Sequence, residues 1–289
     1  MPVPNYMVAK ALRKLHARRS YDGIDEDLRG WNWDRPPLKP RAYLGLSMYD
    51  VVSYCPTKRD VWLRRVKRVH VEPSLPMKVG SLVHEVIHGV SLIARKYLVL
   101  NNKPWKLYGV MVEEVSKYLT GLDIPEGFEE WFKDFSEYLI TQIISEASWN
   151  TVGGSLNSWL PWISEVRVDG SYLGLSKNLR IDAVMEGGLV IDFKVGKPND
   201  IHKVMLAGYA MVLESNVELP IDYGMIIYIN NVGGIPRISL EPIYLSSDLR
   251  KDFIDYRDDT IDMLLSDYEP KPAGQCPESC PFKSICGVR

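Results

Sequence analysis

Glutamine is almost missing from this 289-residue chain, occurring only at Gln142 and Gln275. So little of a thermolabile amide hints at a heat-adapted source. No stretch approaches the roughly 18 uncharged apolar residues that a membrane helix needs, so no membrane partner is expected. The start, MPVPNYMVAKALRKLHARRS, lacks the apolar core of a secretion signal. Neither sign of charge dominates, with a net −2, so bulk charge points to no class of partner. Internal repeats and low-complexity tracts are absent too. What is present is ordinary globular composition, 46% hydrophobic and 25% charged. A soluble cytoplasmic protein is expected, long enough for one large domain or for a core with a sizeable insertion.

Charge is unevenly spread. Residues 1–70 hold 15 Lys and Arg against 7 Asp and Glu, a net of +8 that leaves −10 for the rest. A basic region of this kind could track phosphates, or could equally be a solvated helix face. It opens with a helix-like stretch and continues into RGWNWDRPPLKPR, whose prolines mark irregular backbone. LSMYDVVSYCPTKRDVWLRRVKRV reads as helix, with Ser47 and Asp50 placed as a capping box and a break at Pro56. A further helix is expected from near Gly80, with Val83, Val86, Ile87 and Val90 at helical spacing. Residues 104–150 look like a helical insertion. Three strands follow in SEVRV, LRIDAVM and LVIDFKV, then the helical DIHKVMLAGYAMVLES and the strand pair YGMIIYIN and RISLEPIYL. A charged helix over 246–268 precedes a Pro- and Cys-rich tail. The order predicts an α/β core with a mixed sheet. The expected divisions are a basic helical region over 1–79, a core over 80–245 and a C-terminal helix and tail over 246–289.

The informative stretch is LVIDFKVGKP. Leu189, Val190, Ile191 and Phe193 suit a strand buried on both faces. Asp192 and Lys194 lie inside it and point to one face, because strands alternate with period two. Burying both charges is costly unless they are paired or used. Asp182 in LRIDAV is a second acid within an apolar strand. A two-residue Gly187-Gly188 loop would put the acids on opposite faces. A three-residue loop, Glu186 to Gly188, pairs 185 with 189 and therefore 182 with 192; it wants a left-handed glycine, which Gly188 supplies. The three-residue loop is the expectation here. Two facing carboxylates repel and invite a divalent cation, while Lys194 could orient a water or stabilise developing phosphorane charge. The bland alternative is a buried Asp192–Lys194 ion pair.

Cys55 stands alone, and Cys276, Cys280 and Cys286 form C-x3-C-x5-C. Four intracellular thiols gathered into one site suit an iron–sulfur cluster or a structural zinc, and not disulfides. Three of the four precede proline, as in cluster-binding loops, and neither C-x2-C pair of a zinc site is present. Iron is therefore favoured. His84-Glu85-Val86-Ile87-His88 is also H-E-x-x-H, the zinc protease signature, with Glu113 or Glu114 as a third ligand. That reading leaves Asp182, Asp192, Lys194 and all four cysteines unused.

The D…DFK pattern on successive strands resembles the PD-(D/E)xK nuclease superfamily and its RecB-like branch. Gly80 and His84 meet that branch's G-x-x-x-H, and Tyr209 meets the tyrosine of its Q-x-x-x-Y. Met205 stands where the glutamine is usual. Glu165 in SEVRV matches an acid often found on the first strand. One Cys upstream and three at the end is similar to the iron–sulfur RecB-like nucleases, which include AddB and the CRISPR-associated Cas-four exonucleases. Chain length, the x3 spacing and DFKVGKP…AGYA look like the archaeal Csa-one subgroup. The resemblance spans roughly residues 45–289. It implies a restriction-endonuclease-like sheet, with His84, Asp182, Asp192 and the Phe193 carbonyl holding Mg²⁺ or Mn²⁺. Lys194, Asp192, Asp182 and Tyr209 would be catalytic, and the cysteines would hold a cluster, 4Fe–4S favoured. Implied also are single-stranded DNA or DNA ends as substrate, CRISPR adaptation integrases as partners, and the alternative of a catalytically silent DNA-binding relative.

Overall fold

The computed structural model describes residues 3–99, 103–152, 162–185 and 187–287. Its centre is one five-stranded sheet in the order β1 (Trp162–Val168), β2 (Leu179–Met185), β3 (Leu189–Lys194), β4 (Tyr223–Val232), β5 (Ile235–Tyr244). Neighbours run antiparallel except β3 and β4, which are parallel. That parallel step needs a crossover, which α7 (Asp200–Val217) supplies. Mixed α/β architecture is thus as the element order implied.

Helices cover both faces. On one lie α4 (Leu75–Leu98), α5 (Tyr108–Leu119) and α6 (Glu129–Val152), packed on Ala183, Ile191, Phe193 and Ile227. On the other lie α7 and α8 (Ser247–Leu265), packed on Ile181, Val190 and Ile226. β3 is buried at every residue, as a strand covered on both faces must be. The remaining helices are α1 (Asn5–Tyr21), α2 (Met48–Val51), α3 (Arg59–Arg65) and α9 (Lys283–Cys286).

Local signals located these elements with some shifts. Ser47 Oγ accepts from the Asp50 amide and Asp50 accepts from the Ser47 amide, the expected capping box. The helix it opens ends at Val51, before Pro56, and resumes only at Arg59. α4 begins at Leu75 rather than near Gly80, because Ser74 and Pro76 suit a first turn.

The basic N-terminal region differs most from expectation. Arg19 and Arg29 pair with Asp222, Arg41 with Asp258 and Asp262, Arg59 with Glu269, and Arg64 and Arg65 with Asp50. Much of the local excess of positive charge is therefore spent on acids, mostly of the C-terminal half. Sequence counting could not see this, since most partners lie far along the chain.

Candidate functional site

The β2–β3 hairpin pairs Met185 with Leu189, Val184 with Val190 and Ala183 with Ile191. This is the register expected of a three-residue loop, with Gly188 at φ +82° in the left-handed region; Glu186 lies outside the described residues. The ladder stops one residue short of the acids. There the Asp182 carboxylate accepts the Phe193 amide at 2.7 Å, so a side chain replaces the backbone acceptor. Asp192 and Lys194 do share a face. Lys194 Nζ lies 2.7 Å from both Asp192 oxygens, aligned for a hydrogen bond with Oδ1 only. Buried Oδ2 has no hydrogen-bond partner.

Two further side chains complete the cluster. His84, on α4, brings Nδ1 to 3.3 Å from Asp182 Oδ1, and its ring meets Phe193 edge-on at 6.1 Å. Glu165 arrives by a distortion. It sits in β1 at φ +53°, a left-handed conformation that costs a non-glycine residue about 1–2 kcal/mol. The kink breaks strand alternation: Trp162 faces the α4–α6 layer, whereas Val166 and Val168, of the same parity, join the α7–α8 layer. His88 Nδ1, 2.8 Å from Ser164 Oγ, pins the residue before the kink. Donor atoms of His84, Glu165 and Asp182 then fall within 4.8 Å of one another. Among the described residues this is the one His/Cys/Asp/Glu set so gathered. Asp192 stands beside it, tied to Lys194.

The electrostatics follow from crowding acids out of water. Burial pushes the Asp192 carboxyl up, to about 7, with Asp182 adding to the effect against the pull of Lys194. At Asp182 burial acts in the same direction, but His84, Lys194 and the Phe193 amide outweigh it and hold the carboxyl at about 2. Burial likewise opposes the His84 cation, and Asp182 prevails, so the imidazole pKa is raised. Lys194 is held charged despite burial, chiefly by Asp192. Three acids and an imidazole drawn together in this way could hold a hard divalent cation.

Tyr209, on α7, is buried, and burial first, then Asp182 and Asp192, push its phenol well up. Met205, one turn earlier, is wholly inside the α7–α8 core. The four thiols lie near enough to act on one another, though not gathered as tightly as His84, Glu165 and Asp182. Desolvation first, and then Cys280, Cys55 and Cys286, raise the Cys276 thiol, so the upstream cysteine has joined the C-terminal three. Cys280 and Cys286 lie against the small cluster of Trp62, Leu63 and Phe282.

The H-E-x-x-H alternative fails on geometry. His84 faces Asp182, His88 is taken by Ser164, and Glu85 is exposed. Glu113 is exposed and paired with Lys117 at 2.8 Å. Sequence reasoning missed Tyr49, whose ring centre lies 5.9 Å from Lys194 Nζ, and the bonded pair Tyr54 and His202; only the aromatic spacing in MYDVVSYC could have flagged the two tyrosines.

A mixed α/β fold with an acid–acid–lysine cluster where two central strands part defines the class. The chain matches the family model described as CRISPR-associated exonuclease Csa1 over residues 3–289, and it belongs to that family. Two curated relatives carry the name CRISPR-associated exonuclease Csa1. One, from Thermoproteus tenax, is 30% identical over 96% of this chain and 97% of its own. The other, from Saccharolobus solfataricus, is 31% identical over 97% and 96%. A solved structure titled "Crystal structure of SSO0001" aligns at 20% identity with a TM-score of 0.27, covering 48% of this chain and 69% of that one.

Proposed function

We propose that the protein is a DNA nuclease that uses Mg²⁺ or Mn²⁺ to trim single-stranded DNA ends, preparing fragments for integration beside the CRISPR adaptation integrases in the cytoplasm. The observation that carries the reading is the meeting of His84, Asp182, Asp192 and Lys194, with two acids drawn out of water side by side. His84, Asp182 and Asp192 would hold the cation, with the Phe193 carbonyl; Glu165 is added because its strained backbone aims it at the same point. A bound divalent cation would supply Lewis acidity and charge for the phosphoryl group. Lys194 keeps its proton and offers Nζ to the attacking water or a phosphate oxygen, while Asp192 fixes where Nζ can be. Tyr209 borders the acids and limits the space open to the substrate. The reading includes a restriction-endonuclease-like core over 80–245 with its insertion near 104–150, between the 1–79 and 246–289 regions.

Cleavage of an end-labelled single strand, with Mn²⁺ or Mg²⁺ and with chelator, tests it. His84→Ala is expected to lose at least about a hundredfold in rate, near 2.7 kcal/mol of barrier. Glu85→Gln and His88→Ala should stay within about tenfold: Glu85 is exposed, and His88 supplies no ligand and reaches Glu165 only through Ser164. No cleavage with any divalent cation, together with peptidase activity lost in Glu85→Gln, would overturn the proposal in favour of a protease.

The cysteines are assigned an iron–sulfur cluster, 4Fe–4S, that staples the segment at Cys55 to the tail. Thiolate ligation is coupled to folding. Cys280→Ala is therefore expected to lose the brown visible absorbance of anaerobically purified protein and to unfold at lower denaturant, both together. A colourless wild type, or full stability in Cys280→Ala, would count against the staple.

A further inference from the structure

We propose that Tyr49 and Tyr54 form a stacking subsite for unpaired bases of a single nucleic-acid strand, and that His202 is a positioning residue that fixes Tyr54. The inference rests on the nuclease reading above and adds how a strand would be seated beside the cluster. Both tyrosines are about half in solvent, at 50% and 55% exposure. Isolated exposed tyrosines are ordinary. These two are not isolated: five residues apart in the chain, Tyr49 stands against Lys194 of the cluster and Tyr54 is bonded to His202.

Each ring is anchored on its inner side. Lys194 Nζ stands 5.9 Å from the centre of the Tyr49 ring, a cation–π arrangement beside the cluster. Tyr49 also belongs to α2, whose Met48, Asp50 and Val51 are buried and whose start is locked by the capping box. Tyr54 is held by a directed chain of hydrogen bonds. Tyr228 Oη donates to Glu241 at 3.3 Å, which leaves its oxygen to accept from His202 Nδ1 at 3.1 Å. His202 Nε2 is then an acceptor, and the Tyr54 hydroxyl donates to it at 2.7 Å. Burial and the nearby Lys194 lower the His202 pKa to about 4, which keeps the ring neutral and this tautomer intact. The Tyr54 and His202 rings meet edge-on at 5.9 Å. On the chain side, Cys55 N–H donates to Ser53 Oγ and Ser53 to Asp60, so the backbone around Tyr54 is fixed as well.

Two half-exposed aromatic rings, one held through its hydroxyl by His202 and the other backed by Lys194, beside the proposed phosphate-cleaving cluster, offer the chemistry of base stacking. Such stacking tolerates any base, since every base has a π-face. Nothing in this pair reads base edges, so the strand would be gripped without sequence preference.

The test measures anisotropy of a labelled oligodeoxythymidine strand and of an equally long abasic strand with the full chain, without added divalent cation. Tyr49→Ala and Tyr54→Ala are each expected to weaken binding of the base-bearing strand about tenfold, and to leave the abasic strand unchanged. Phenylalanine at either position should rescue most of the loss. His202→Ala should weaken the same strand less than Tyr54→Ala does, and add nothing to it in the double variant. Unchanged binding in both tyrosine variants, or equal losses on the two strands, overturns the subsite while a wild type that still binds and cleaves upholds the nuclease. A wild type that neither binds a single strand nor cleaves one with Mn²⁺ overturns the underlying reading and the subsite with it.

Discussion

Asp192→Asn is expected to lower DNA cleavage at least about a thousandfold, roughly 4 kcal/mol of barrier, while leaving the visible absorbance of the cysteine-bound group in place. The variant keeps the volume and one acceptor for Lys194 Nζ, so geometry is nearly preserved. What it removes is a buried negative charge between Asp182 and Lys194. One consequence would fall on a bound cation, which would lose an oxygen that makes no hydrogen bond in the structure. Another falls on Lys194, a buried cation now faced by Asp182 alone; leaving a buried charge unpaired costs about 3–5 kcal/mol in the worst case. Lys194 then has reason to shift away from the position where a water or phosphate oxygen would meet it. Rate assays with Mn²⁺, alongside absorbance and thermal melts, separate these effects. A folded, coloured Asp192→Asn protein retaining more than about a tenth of the rate would remove Asp192 from the machinery.

Glu214→Ala should be the most destabilising single change away from the site, at about 3–5 kcal/mol out of the 5–15 kcal/mol typical of a whole domain. Glu214, on α7, is fully buried and accepts from five donors: Arg250 Nη1 and Nη2, Arg29 Nη1, and the amides of Gly30 and Ile221. Arg250 is buried to the same degree. Removing the carboxylate leaves that guanidinium without a counter-ion, since Asp222 is engaged by Arg29 and Arg19. Gly30 has no room to compensate, because a Cβ there would fall 2.0 Å from the Met211 carbonyl oxygen. Denaturant unfolding is the measurement. A loss under about 1 kcal/mol, the scale of an exposed ion pair, would mean that the buried cluster opens to water without harm.

Much of the site was legible before any coordinates. The alternation of LRIDAV and LVIDFKV placed Asp192 and Lys194 on one face, and the loop length set the register that brings Asp182 alongside. Those are short-range facts, governed by the two-residue period and by which residues tolerate a left-handed turn. The capping box at Ser47 and the helical pattern around Val83 were local in the same sense. Family membership was carried by motif spacing, and the family match over residues 3–289 bears it out.

The tertiary structure decided what depends on residues far apart in the chain. Period-two reasoning could not foresee that Glu165 would take a left-handed conformation, because that strain persists only where His88, Ser164 and the neighbouring strand hold it. The fate of the basic N-terminal arginines was equally hidden. Charge counting left open a phosphate-tracking region or a solvated helix face; it could not show that several of these arginines pair with acids 150 or more positions away, brought near by packing. His202 carries no signal in the sequence that sets it apart from its neighbours Asp200 and Lys203; only the fold seats it between Tyr54 and Tyr228. The sequence by itself determined which groups could do chemistry and which local geometry each strand and turn would take. The fold determined which of them meet, because long-range contacts depend on how whole elements pack.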